Sequence, residues 1–259
     1  MTSKRRTRWC WLLAIAWLLA APAGGVSANQ AAEVAPTRVI VGINHSPPYR
    51  IVDSANHSGL YLDIFEAMAE HLGWQVHYRE APFRRLLLMM QQGEIDVMLG
   101  PLETEGRAGF MAYAVPAFPP ERRLFFYLED QHQINRYDDL YGRAIGVQEG
   151  AVYFDRFDAD ERLTREPASN YENLMRMLER GRVDIVVAPE LVGLYTARRL
   201  GIPVKVSPFF VPGERSWITV SRESPFVDQV DDLNAAFKRI ELDGLPEDLM
   251  LKYLETPAP

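Results

Sequence analysis

Leu88-Met-Met-Gln-Gln-Gly-Glu-Ile-Asp-Val97 and Met177-Leu-Glu-Arg-Gly-Arg-Val-Asp-Ile185 state one pattern twice. Each is the end of an amphipathic helix, a glycine that stops it, a charged residue, a β-branched residue, an aspartate and the start of a buried strand. Glycine ends a helix well because it enters the left-handed backbone region without steric cost. The β-branched run beyond it favours a pleated, packed environment. Two copies of the unit in one chain predict two α/β lobes built alike.

Outward from the first copy, Thr37–Asn44 is a β-branched run that stops at the turn residues His45-Ser-Pro-Pro48 and reads as a strand and a loop. Leu60–Leu72 places Leu60, Ile64, Ala67, Met68 and Leu72 on one helical face, and Gly73 closes it. Trp74–Tyr78 reads as a strand, Phe83–Gln92 as a helix, and Ile95–Leu99 as a strand ending at Gly100-Pro101. Around the second copy, Ala144–Val147 reads as a strand, Ala151–Phe157 as a short helix and Asn170–Arg180 as an amphipathic helix. Val183–Ala188 then reads as a strand, Glu190–Leu200 as a helix and Val204–Ser207 as a strand. Strand alternating with helix at this spacing implies mainly parallel sheets with right-handed crossovers. The aromatic, proline-rich stretch Phe110–Tyr127 reads as the first crossing between lobes and Ser207–Ser221 as the return. Two final helices, Pro225–Ile240 and Pro246–Leu254, are expected to pack back on the first lobe. The predicted organisation is a leader over 1–28, a discontinuous first lobe over 29–120 and 210–259, and a second lobe over 121–209.

The leader is read from Lys4, Arg5, Arg6 and Arg8, an apolar run Trp11–Ala21, and Val26-Ser27-Ala28 as a small-x-small cleavage pattern. Eleven residues fall short of the ~20 that span a bilayer. A cleaved signal peptide, a mature start near Asn29, a periplasmic location and no lasting membrane insertion are therefore expected. The chain holds 28 Lys and Arg against 35 Asp and Glu, a net charge of −7; without the leader the balance falls to 24 against 35, or −11. Such an acidic surface excludes nucleic acid and anionic lipid as natural partners. Cys10, in the leader, is the single cysteine, so the mature chain is expected to carry no disulfide and no thiolate metal site. The five histidines, His45, His57, His71, His77 and His132, show no ligand spacing, and neither metal nor cofactor is expected.

Taken in order, several motifs resemble the family 3 extracellular solute-binding proteins, the amino-acid-type binding components of ABC importers. They are Pro47-Pro-Tyr49, Gly59-Leu-Tyr-Leu-Asp-Ile64, Gln92-Gly-Glu-Ile-Asp-Val97, Gly100 through Arg107, Gly146-Val-Gln-Glu-Gly150, Gly181-Arg-Val-Asp184, and Leu233-Asn-Ala-Ala with Asp243-Gly244. The resemblance runs from about Arg38 to Leu254. It implies a type II periplasmic-binding-protein-like fold: two lobes, two hinge crossings, and a ligand held between them where strands end.

The resemblance also implies a site. Arg107 is similar to the arginine that grips the ligand's carboxylate in amino-acid-binding relatives, a task suited to a planar, permanently charged fork of donors. Tyr49 occupies the position of an aromatic that stacks on the ligand. Gly100 and Leu102 fall on the ligand-facing turn of the first lobe, and Gly150 and Val152 on that of the second. Arg85, at the start of the second predicted helix, either adds charge to the same mouth or faces water. Asp63 is expected to serve the start of the first helix.

The chain departs from the amino-acid-binding pattern at three points. Ala151 and Val152 replace small hydroxyl residues at an expected helix N-terminus. Pro189 stands where an aspartate would pair the ligand's ammonium. Glu190 either supplies that charge from one residue along or is only a helix N-terminal acid. The expected ligand is therefore a small carboxylate-bearing or otherwise anionic molecule, with an apolar wall from Tyr49, Leu102 and Val152.

A nucleophilic enzyme has no support: there is no Gly-x-Ser-x-Gly and no cysteine beyond the leader. The enzyme alternative is a cyclohexadienyl-dehydratase-like reaction using Glu190, Glu149 or Glu103 as acid or base. A further alternative is a sensory protein signalling to a membrane partner. The primary expectation is a monomeric binding protein serving an ABC permease.

Overall fold

The computed structural model describes residues 37–53 and 56–255; the expected leader and its cleavage site lie outside them. The chain opens with β1 (Thr37–Ile43), α1 (Leu60–Leu72), β2 (Trp74–Glu80), α2 (Phe83–Gln91) and β3 (Val97–Leu99). A single helical turn, α3 (Glu105–Ala108), leads into β4 (Met111–Phe118). A second series follows: β5 (Arg123–Tyr127), β6 (Ala144–Gln148), α4 (Asp155–Ala159), β7 (Thr164–Ala168), α5 (Tyr171–Glu179), β8 (Ile185–Pro189), α6 (Glu190–Leu200) and β9 (Lys205–Val211). Then come β10 (Ser216–Ser221), α7 (Val230–Leu242) and α8 (Leu245–Glu255).

The strands form two five-stranded sheets of one plan, β2-β1-β3-β10-β4 and β7-β6-β8-β5-β9. In the first, β1 pairs in parallel with β2 and β3, while β10 is antiparallel to both β3 and β4. In the second, β6 pairs in parallel with β7 and β8, while β5 is antiparallel to both β8 and β9. Four strands of each sheet therefore run one way, as the helix–strand rhythm implies. The fifth is the strand that arrives from the other lobe, which makes both sheets mixed. The chain passes between sheets at Pro119–Arg122 and returns at Pro212–Arg215. Phe210 and Val211, assigned to the first lobe from sequence, pair with Leu124 and Arg123 in the second sheet.

The repeated pattern has a physical basis in both lobes. Gly93 and Gly181 take φ of 67° and 64°. The residue after each donates its amide back into the helix, Glu94 to Met89 O and Arg182 to Met177 O, both at 2.9 Å. The aspartate then binds the neighbouring strand twice. Asp96 N donates to Ile40 O at 2.8 Å while its Oδ2 accepts from Ile40 N at 2.7 Å. Asp184 N donates to Ala144 O at 2.8 Å while its Oδ2 accepts from Ala144 N at 2.8 Å. Each aspartate satisfies the strand end just before parallel pairing begins, at Val41 with Val97 and at Ile145 with Ile185. That clamp sets the register on which alternate-face burial depends.

Elsewhere the structure corrects the sequence. The expected helix Ala151–Phe157 is a loop to Phe154, and α4 starts only at Asp155. Its first turn carries Asp155 and Asp158, so no helix N-terminus faces an anion at Ala151 or Val152. β7 escaped the sequence reading because it is an edge strand with charged residues and Pro167, the composition edges tolerate. α7 and α8 do pack against α1 in the first lobe. Asp63 does more than serve a helix start: it accepts from Tyr253 Oη at 2.8 Å and Lys252 Nζ at 2.9 Å, fastening α8 to α1.

Asp96→Ala and Asp184→Ala should each lower unfolding free energy by about 1.5–3 kcal/mol, the range for a hydrogen bond to a charged group. Asp96→Ala should cost more, because Asp96 also accepts from Ser224 Oγ at 2.7 Å. Urea denaturation followed by circular dichroism measures both; equal stability with wild type would show that the clamps do not set the register.

Candidate functional site

Between the sheets lies a cleft, open to solvent and lined from both series of elements. Its notable content is charge: Arg50, Arg107 and Arg123 all line it and are all buried.

Arg107 owes its position to Thr104. That hydroxyl caps α3 by accepting from Arg107 N at 3.2 Å, which fixes the single turn carrying the arginine. The guanidinium donates to Leu102 O at 3.0 Å and, across the cleft, to Gly150 O at 2.8 Å. It lies 5.7 Å from the Phe83 ring centre. Both acceptors are neutral carbonyls, and burial pulls its pKa down.

Arg50 directly follows the Pro47-Pro48-Tyr49 turn. Its guanidinium donates to Leu99 O at 2.8 Å and Asn44 O at 3.3 Å, again without a carboxylate, and burial lowers its pKa. Gly100 makes room for it: a Cβ there would come within 2.5 Å of Arg50 Nη1 and 2.7 Å of Tyr61 Cε2, at a φ of 91°. Tyr61 is stacked between Tyr49 (4.5 Å between ring centres) and Phe118, and its hydroxyl meets Ser216 Oγ at 3.0 Å.

Arg123 opens β5, and its Nη1 donates to Glu121 O at 2.9 Å. The Glu121 carboxylate accepts from Leu191 N at the start of α6, so it is engaged with that helix terminus. Burial, ahead of these bonds, raises its pKa above the ordinary 4.5. Tyr153, Tyr171 and Gln148 complete the second-lobe wall; Tyr153 Oη accepts from Gln148 N at 2.8 Å.

Of the residues expected from sequence, Tyr49, Gly100, Leu102, Arg107 and Val152 line the cleft. Gly150 lies beside it and offers its carbonyl to Arg107. Arg85 and Glu190 do not line it. Arg85 is on the exposed side of α2, 3.4 Å from Glu94. Glu190 is paired with Arg122, whose Nε donates to its Oε2 at 2.7 Å. Glu190 therefore supplies no charge to the cleft. Arg50, Arg123 and Glu121 were not anticipated. Their signal was faint: Arg123 heads a strand buried at all five positions, an unusual place for a charge. Among the described residues no cluster of His, Asp, Glu or Cys is arranged to hold a metal ion.

The bacterial extracellular solute-binding proteins, family 3, match this chain over residues 39–256, and the chain belongs to that family. A probable amino-acid-binding protein of Bacillus subtilis, YxeM, is 20% identical over 247 residues, covering 93% of each chain. A probable histidine-binding protein of Campylobacter jejuni is 22% identical over 183 residues, 64% of this chain and 71% of its own. Among solved structures, an ancestral arginine-binding protein bound to arginine superposes with a TM-score of 0.74 at 23% identity, over 83% of this chain and 97% of the other. The fold is thus the two-lobed type expected. Family and relatives are binding proteins, and this chain is one of them rather than an enzyme. No helix among the described residues is long and apolar enough to cross a membrane.

Two outcomes follow from the site's geometry. Gly100→Ala should displace the Arg50 guanidinium and lower stability by about 1–3 kcal/mol, seen in thermal denaturation. Glu121→Gln tests the buried carboxyl. Because its folded pKa lies above 4.5, the protonated form is favoured in the fold. That stability is complete below pH 4.5 and is lost as pH rises through the folded value. Glu121→Gln should therefore melt higher than wild type near neutral pH, with a margin that closes as pH falls towards 4.5. A margin independent of pH would refute this.

Proposed function

We propose that this chain captures a small carboxylate-bearing molecule in the interlobe cleft, in the periplasm, and delivers it as a monomer to an ABC permease. The observation that carries the reading is Arg107: a buried guanidinium lining the cleft whose hydrogen bonds, among the described residues, go to neutral carbonyls from opposite lobes. A buried charge with no carboxylate in hydrogen-bond contact is costly, and a ligand carboxylate balances it with bidentate geometry. Tyr49, Leu102 and Val152 supply walls, and Gly150 links the second lobe to the same arginine. The connecting segments Pro119–Arg122 and Pro212–Arg215 serve as the hinge. They run so close that a Cβ on Gly213 would overlap the Glu121 backbone. The relatives described as amino-acid-binding support a small polar solute.

The test is a thermal-shift screen of the mature protein against amino acids, carboxylates, amines and small sugars. A ligand at about 100 times its Kd adds about 2.7 kcal/mol to stability. Arg107→Ala should abolish the shift by weakening binding by about 2–5 kcal/mol. Arg107→Lys, which keeps the charge without the fork, should restore only part of it. A shift caused by sugars or amines and unaffected by Arg107→Ala would overturn the proposal.

A further inference from the structure

We infer that the cleft is built for a small molecule with two carboxylates, one held by Arg107 and the other by Arg50 and Arg123, with the Gln148 amide in the same cleft as a further donor. This rests on the carboxylate-binding reading above and specifies its substrate class.

The first ground is charge balance. Arg50, Arg107 and Arg123 are only 6%, 7% and 7% exposed, and among the described residues none of them makes an ion pair. The carboxylates lining the same cleft are Glu121, which accepts from the start of α6 and also acts on Arg50 and Arg123, and the exposed Glu214. Against the three buried arginines, Glu121 and one ligand carboxylate would still leave one buried cation unmatched. A zwitterion would add no net negative charge at all. The surrounding chain is acidic, with a net charge of −7, so this concentration of cations is not background.

The second ground is spare hydrogen-bonding capacity. A guanidinium has five N–H donors. Among the described residues, acceptors take two from Arg50, two from Arg107 and one from Arg123. Gln148 is 6% exposed, lines the cleft, and its Nε2 has no hydrogen-bond partner among the described residues. An unpartnered buried donor is costly, and an acceptor on the ligand removes the cost.

The third ground is placement. Arg50 lies 5.5 Å from the Tyr61 ring centre and Arg107 lies 5.7 Å from that of Phe83. Arg50 and Arg123 act on the same groups, Tyr61, Tyr171 and Glu121, whereas Arg107 interacts with Tyr113 and Asp158. Arg123 is also the register partner of Pro189, the position where an amino-acid binder would hold an acid for the ligand's ammonium. An ammonium placed there would face a cation.

Isothermal titration at low salt tests this with the dicarboxylates from malonate to pimelate, each beside its monoamide. Arginine, histidine, glutamine and inorganic phosphate complete the panel. At least one diacid should bind about tenfold or more tighter than its monoamide, as expected for a desolvated charge pair. Arg123→Gln and Arg50→Gln should bring that ratio towards one, whereas Arg107→Gln should weaken diacid and monoamide together. Since Arg50 also holds two carbonyls, Arg123→Gln is the decisive variant if Arg50→Gln melts early. Equal binding of diacid and monoamide, both lost in Arg107→Gln, would overturn the two-carboxylate inference and leave the carboxylate reading standing. Tighter binding of phosphate or of any of the three amino acids than of every diacid would also overturn the inference. No binding by any carboxylate in the panel would overturn both.

Discussion

In this fold a strand that leaves one sheet does not join the edge of the other but inserts inside it. β10 lies between β3 and β4, and β5 between β8 and β9. Neither lobe completes its ladder without chain contributed across the crossing, so the two halves are held by backbone hydrogen bonds as well as by side-chain packing. The insertion also dictates where the cleft's polar groups arise. Arg123 and Ser216 are the first residues of the two inserted strands, and both line the cleft. A residue at that point must stand at the crossing, whatever its chemistry. The fold fixes the position, and this sequence places a guanidinium there.

That guanidinium and its two counterparts are held by backbone carbonyls. Carbonyl dipoles orient a guanidinium without cancelling its charge, so three arginine cations line the cleft together with the carboxylates of Glu121 and Glu214, inside a molecule that is acidic overall. Tyrosine side chains beside the buried arginines lower the local dielectric there, which strengthens their attraction for an anion at short range. Desolvating the arginines costs several kcal/mol per ion without a counter-charge. The rest of the fold offsets this through its packed cores, the aspartate clamps and the α8–α1 fastening.

Much of the fold was legible because it is written in local signals. The Gly-x-x-Asp repeats at Gly93 and Gly181 predicted two like lobes, and the structure supplies the reason, since each aspartate clamps its neighbouring strand. β7 was not legible, because an edge strand with Pro167 lacks the hydrophobic run of a central one. The helix expected at Ala151 does not form: the chain is irregular to Phe154, with Ala151 N turned back onto Gln148 O, and Tyr153 N bonds to Asp158. In the site, Tyr49, Leu102 and Arg107 came from resemblance and Arg50 and Arg123 only from the structure. The run Glu121-Arg122-Arg123 lies in the stretch read as a crossing between lobes, yet its neighbouring side chains part, Arg122 going out to Glu190 and Arg123 into the cleft. One-dimensional sequence does not say which face of a crossing is inside.

Arg107 joins two tasks that solute-binding folds must couple. Its bond to Gly150 O ties the lobes, while its bond to Leu102 O ties the guanidinium to its own loop. Those two bonds leave donors to spare, so on the proposed reading a carboxylate engages Arg107 without breaking either. The ligand then adds charge balance to a tie that already exists, and closure is favoured by the same atoms that recognise the ligand. A lysine could not do this, because an ammonium lacks the planar fork that addresses two carbonyls and a carboxylate in fixed directions. The position calls for an arginine for this reason, independently of which acid the cleft receives.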